Sequence, residues 1–81
     1  MHYAQAQGIN FIETANVYAS GRSEEVVGKA LSSLRRDDIF LATKVFFQMG
    51  AGPNDKGLCR KHVFEQCHHS LKRLQVEYID L

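Results

Sequence analysis

Ile9-Asn10-Phe11-Ile12-Glu13-Thr14-Ala15-Asn16-Val17-Tyr18 is the stretch on which the fold turns. Ile9, Phe11 and Ile12 are β-branched or aromatic, as a buried strand prefers, and Gly8 punctuates the start. The strand Ile9–Ile12 stops abruptly at polar residues. Glu13 stands at its end and Tyr18 on the loop beyond. In parallel α/β sheets and barrels, residues just past the C-terminal end of a strand point into the site. A second strand, Ile39–Lys44, ends the same way on a lysine. An acid, a phenol and an amine thus fall where such folds do chemistry.

The segments around these strands alternate. Residues 1–7 (MHYAQAQ) read as the last turns of a helix, closed by Gly8. Ser23, with Glu24 and Glu25 after it, predicts a helix start with Ser23 as N-cap and carboxylates at the positive end of the dipole. The helix is expected to run to about Leu34, with Val27, Ala30, Leu31 and Leu34 on one face. Gly28 inside it suggests close packing on a neighbour. Arg35 and Arg36 suit its C-terminal end. Val45–Gly57 loses periodicity and reads as a long loop. A second helix is expected over Arg60–Leu74, its apolar face formed by Val63, Cys67, Leu71 and Leu74, with Cys59 where a serine cap would serve better. Tyr78–Leu81 reads as the start of a third strand.

This order predicts βαβ units and a parallel sheet. A (β/α)₈ TIM barrel needs roughly 250 residues, so 81 residues make about a third of one. The expectation is a partial barrel that begins mid-fold: about three consecutive parallel strands and two complete helices, all one domain piece over residues 1–81. Hydrophobic residues make up 44% and charged residues 23%, which excludes a disordered chain. The net charge of +1 is spread without a basic stripe, so no nucleic-acid partner is expected. No apolar run is long enough to span a bilayer, and no secretory signal opens the chain. Cys59 and Cys67 fit neither a disulfide framework nor a zinc pattern. A reducing, cytoplasmic setting is the simplest expectation. Both cysteines are expected to serve packing. His62, His68 and His69 are expected to be solvated helix residues, not metal ligands. Asn16 is expected to serve loop structure. No GxxxxGK or GxGxxG fingerprint occurs.

The strings GINFIETANVYASGRSEEVVGKAL (8–31), FLATKVFF (40–47) and GLCRKHVFEQCHHSLKRLQVEYIDL (57–81) resemble the aldo-keto reductases. They come in the right order and spacing from about Tyr3 to Leu81. They look most like the branch that contains the potassium-channel β subunits. The resemblance implies a (β/α)₈ barrel that reduces aldehydes or ketones with NADPH. Of the family's Asp, Tyr, Lys and His tetrad, Tyr18 matches the proton-donating tyrosine and Lys44 the lysine. Glu13 stands where the family has aspartate. The fourth member is expected just beyond the strand that starts at Tyr78. Most contacts to the cofactor are expected outside these residues.

The chemistry is consistent with those residue types. Hydride reaches the carbonyl carbon and the oxygen must gain a proton. A phenol can donate it at the developing alkoxide, and an ammonium beside the phenol stabilises the phenolate. A carboxylate then holds the ammonium. Glutamate is one methylene longer than aspartate, and catalytic geometry tolerates errors of only about 0.5 Å, so reduced activity is expected even in a complete barrel. The isolated residues are expected to be inactive. Two alternatives stand beside the reductase reading: a channel β-type auxiliary subunit with a channel or homo-oligomeric partner, and a truncated product with no function.

Overall fold

A parallel pair of strands buries one of its faces under two helices. The computed structural model describes residues 1–81 in the order α1 (His2–Ala6), β1 (Phe11–Glu13), α2 (Arg22–Leu31), β2 (Phe40–Ala42) and α3 (Arg60–Leu74). Short 3₁₀ turns cover Tyr18–Gly21 and Arg36–Asp38. β1 and β2 pair in parallel, with Phe11 opposite Phe40, Ile12 opposite Leu41 and Glu13 opposite Ala42. The pairing runs past both strand ends. Phe40 N–H donates to Asn10 O at 2.8 Å, and Thr14 N–H to Ala42 O at 2.9 Å.

The pleat divides the side chains. Leu41 lies under the helices in a core with Val27, Leu31, Ile39 and Leu74, and Ile12 packs against that cluster. Phe11 and Phe40 point to the other face, stacked with ring centroids 4.8 Å apart and still exposed. That face corresponds to the interior of the expected barrel. The architecture is a piece of such a barrel: parallel strands with helices on the outer side.

Several boundaries differ from the sequence expectation: β1 is Phe11–Glu13 and not Ile9–Ile12, and β2 is Phe40–Ala42 and not Ile39–Lys44. Gly8 closes α1 as expected, with φ +101°. α2 is capped by Gly21, at φ +96°, and not by Ser23. Ser23 lies inside the first turn, where its hydroxyl bonds Thr14 Oγ1 at 2.7 Å. α2 also stops at Leu31, three residues before the expected Leu34. α3 runs over Arg60–Leu74 as expected, but its buried positions are His62, Gln66, Ser70 and Leu74. His62 is therefore core and not solvated, whereas Cys59 and Cys67 are exposed and do not serve packing.

α3 closes on Gln75, whose φ of +56° is left-handed. An L-residue there costs about 1–2 kcal/mol, which glycine avoids. Gln75→Gly is expected to stabilise the chain by about 1 kcal/mol, read as a higher midpoint in urea.

The third strand is not formed as a strand. Residues 78–81 still lie along the free edge of β2. Asp80 N–H and Leu81 N–H donate to Leu41 O at 2.9 and 3.2 Å, and Thr43 N–H donates to Leu81 O at 2.9 Å. The ladder fails at Leu41 N–H, which is taken by the Asp80 carboxylate at 2.8 Å instead of a strand carbonyl. Arg36 fastens the segment: it donates to Tyr78 O at 2.8 Å and to Asp80 Oδ2 at 2.9 Å, and lies 3.9 Å over the Tyr78 ring.

The Leu41 N–H and then the Arg36 guanidinium hold the Asp80 carboxyl below its ordinary pKa. A depressed carboxyl contributes stability that is fully present above its unfolded value, about 3.9, and is lost as pH falls through the folded value. Circular dichroism against pH should therefore show stability falling below about pH 4. Asp80→Asn is expected to flatten that fall.

Candidate active site at the strand ends

β1 ends on Glu13 and β2 ends two residues before Lys44. The parallel register brings both strand ends to the same side of the sheet. Glu13 Oε2 lies 3.0 Å from Lys44 Nζ. The Lys44 nitrogen in turn lies 5.1 Å from the centroid of the Tyr18 ring. The structure thus brings together Glu13, Lys44 and Tyr18. The longer glutamate arm reaches the ammonium without taking it away from the tyrosine.

This ion pair is half open to solvent, with side-chain exposures of 49% for Lys44 and 58% for Glu13. Exposed pairs of this kind contribute little to stability. The Tyr18 hydroxyl first, then the Glu13 carboxylate, hold Lys44 above the ordinary lysine pKa. The amine stays an ammonium throughout the physiological range. A fixed positive charge is thereby held beside the Tyr18 ring.

The tyrosine loop is built with unusual backbone. Ala19 and Ser20 both adopt left-handed conformations, at φ 50° and 55°. Such strain in L-residues persists only where the surroundings fix it. The fixing bonds are present on each side. Thr14 bonds Ser23, and Asn16 Nδ2 donates to Gln66 Oε1 at 3.1 Å. Asn16 N–H also donates to Lys44 O at 3.1 Å, which ties the tyrosine loop to the lysine backbone. Asn16 is buried and serves loop structure, as its sequence context suggests.

Beside the three side chains is an open cavity of about 220 Å³, lined by Val17, Tyr18, Lys44, Val45, Phe46 and Phe47 among others. Phe46 and Phe47 meet edge to face, with centroids 5.2 Å apart. Lys44 is the one charged residue in its wall. The rest of its wall is uncharged and mostly apolar.

The residues that sequence reasoning missed lie one layer deeper. Glu24 is fully buried, and its carboxylate accepts from Thr43 Oγ1 and Arg73 Nε, each at 2.7 Å. The signal was available. Glu24 precedes Val27 by three and Leu31 by seven, which is the helix face that carries the core.

Comparison with known proteins gives consistent likenesses. The model of the Aldo/keto reductase family matches residues 1–81. A probable voltage-gated potassium channel subunit beta from Arabidopsis thaliana is 53% identical over 76 residues, covering 91% of this chain and 23% of the relative. A putative voltage-gated potassium channel subunit beta from Schizosaccharomyces pombe is 47% identical over 77 residues, covering 91% and 22%. Among solved structures, the holo form of an aldo-keto reductase from Bacillus halodurans superposes with a TM-score of 0.83 at 39% identity. That match covers 96% of this chain and 26% of the reductase. The chain spans about a quarter of the length of these proteins.

Proposed function

Because this chain belongs to the aldo/keto reductase family, we propose that it supplies the proton-donating part of an NADPH-dependent reductase of aldehydes and ketones. The observation that carries this is the contact of Glu13, Lys44 and Tyr18 at the edge of an apolar cavity. Tyr18 Oη gives its proton to the oxygen of the reduced carbonyl. Lys44 holds positive charge next to the phenol, and Glu13 holds Lys44. The cofactor supplies the hydride when a complete barrel binds it. No residue cluster here forms a phosphate cradle, so holding the dinucleotide falls to the rest of such a barrel. The 81 residues alone are proposed to be inactive. A cytoplasmic setting fits this reading. No helix is long and apolar enough to cross a membrane.

The test is a hybrid barrel, in which this chain replaces the matching quarter of the Bacillus halodurans reductase. The expected result is NADPH-dependent aldehyde reduction by the hybrid and none by the isolated chain. A folded hybrid that binds NADPH but reduces no carbonyl would overturn the reading.

A second reading has its own support. The plant and fission-yeast relatives carry the name of potassium-channel β subunits. The reading is that the chain belongs to an auxiliary subunit assembling with a channel. Co-purification of a tagged full-length protein with a potassium channel from its own cells would support it, and repeated failure to do so would count against it.

A further inference from the structure

We infer that Glu24 is a positioning residue for Lys44, acting through Thr43. The inference rests on the reading of Lys44 as the site's cation, and it deepens that reading. Glu24 sits in the first turn of α2 with no exposed surface. Helix caps and dipoles do not need a buried carboxylate, because a solvated one interacts with the N-terminus as well. Burying a carboxylate is costly unless its oxygens are bonded. Both are: Oε1 accepts from Arg73 Nε and Oε2 from Thr43 Oγ1, each at 2.7 Å. Arg73 comes from the last turn of α3 and Thr43 from the residue after β2. One carboxylate therefore ties two helices to the residue immediately before Lys44.

Lys44 needs such an anchor. β2 is only three residues long, and Lys44 lies two residues past its end. Thr43 N–H bonds Leu81 O on one side, and Lys44 O accepts Asn16 N–H on the other. These bonds fix the height of the backbone. The Thr43 hydroxyl fixes the rotation about it, because it draws the Thr43 side chain outward to α2. Neighbouring residues of an extended chain point to opposite faces, so Lys44 is directed inward, over Tyr18 and toward Glu13. A carboxylate pulling from one face thereby orients an ammonium on the other. Glu24 touches none of the reacting groups.

The test reads the Lys44 amine directly, without turnover, so it remains decisive if the reductase reading fails. Lys44 and Lys61 are both held above the ordinary lysine pKa, Lys44 by Tyr18 and Glu13 and Lys61 by Glu65. Their side-chain nitrogens are titrated by NMR in the 81-residue chain and its variants. Thr43→Val removes the hydroxyl and keeps the shape. The expected result is that the Lys44 midpoint falls toward about 10.4, that of an ordinary lysine, while Lys61 stays in place. Thr43→Ser restores the hydroxyl and is expected to restore the Lys44 midpoint. Glu24→Asp, which keeps the charge but retracts it from Thr43, is expected to act like Thr43→Val. An unchanged Lys44 midpoint in folded Thr43→Val overturns the inference, as does a parallel fall at Lys61. If Thr43→Val and Glu24→Asp both fail to fold, the contact is one of stability alone and the inference is likewise overturned.

Discussion

Tyr18→Phe in the hybrid barrel is expected to lower kcat by about 10²- to 10⁴-fold, the usual contribution of a positioned general acid. That corresponds to about 3–5 kcal/mol of barrier. The substitution is well suited to isolate the proton. The Tyr18 side chain is 44% exposed, so losing its hydroxyl leaves no buried partner unsatisfied. The ring remains, and with it the cation–π contact that keeps Lys44 above it. Stability should therefore change by less than about 0.5 kcal/mol. KM should change little, because the hydroxyl acts chiefly where negative charge develops in the transition state. Steady-state kinetics with an aldehyde series and a urea titration of both proteins check the two halves. Turnover within a few-fold of the parent would mean that another group, or water, delivers the proton. Tyr18 would then be a packing residue of the loop.

The placement of these groups was legible in the sequence, but their contact was not. Glu13 and Lys44 each follow a short apolar run, and that pattern puts them at strand ends. Nothing in the spacing of thirty-one residues between them says that they meet. The meeting depends on the parallel register that sets Glu13 opposite Ala42, two residues before Lys44. α2 was legible because Val27 and Leu31 repeat at a helical period and are both buried. α3 was misread for an instructive reason. Its apolar residues Val63, Cys67 and Leu71 suggest one face, yet the covered face carries His62, Gln66 and Ser70. Gln66 is covered because it answers Asn16. Val63 and Cys67 instead line an open groove with Ile79 and Leu81. Hydrophobic periodicity detects burial among apolar partners and misses a polar residue such as Gln66, whose partner lies fifty residues away in sequence. The third strand was legible in part. Tyr78–Leu81 lies where a strand belongs, and a single carboxylate, that of Asp80, occupies the donor on which its ladder depends.

Gly28→Ala is expected to destabilise the chain by about 3 kcal/mol, against the sign that helix propensity gives. In an open helix interior, alanine is favoured over glycine by about 1 kcal/mol. At position 28, a Cβ would stand 2.7 Å from the carbonyl oxygens of both Arg73 and Leu74 and 2.8 Å from the Leu74 carbonyl carbon. Those atoms are backbone at the C-terminal end of α3, so no side chain can swing away. Relief would require α2 and α3 to separate. Separation would open the core that Val27 and Leu31 share with Leu74, and would lengthen the Glu24–Arg73 bond that crosses the same interface. The contact is thus constrained at two neighbouring points. At roughly 0.05–0.15 kcal/mol per residue, a chain this small has only about 4–12 kcal/mol in total, so the loss is a large share of it. Urea unfolding followed by circular dichroism gives the sign directly. A midpoint at or above the parent's would mean that the helices do not approach as closely as the structure has them. A variant that is unfolded without denaturant would mean that the glycine is what permits the helix pair, and with it the layer that carries Glu24 and Thr43, to assemble at all.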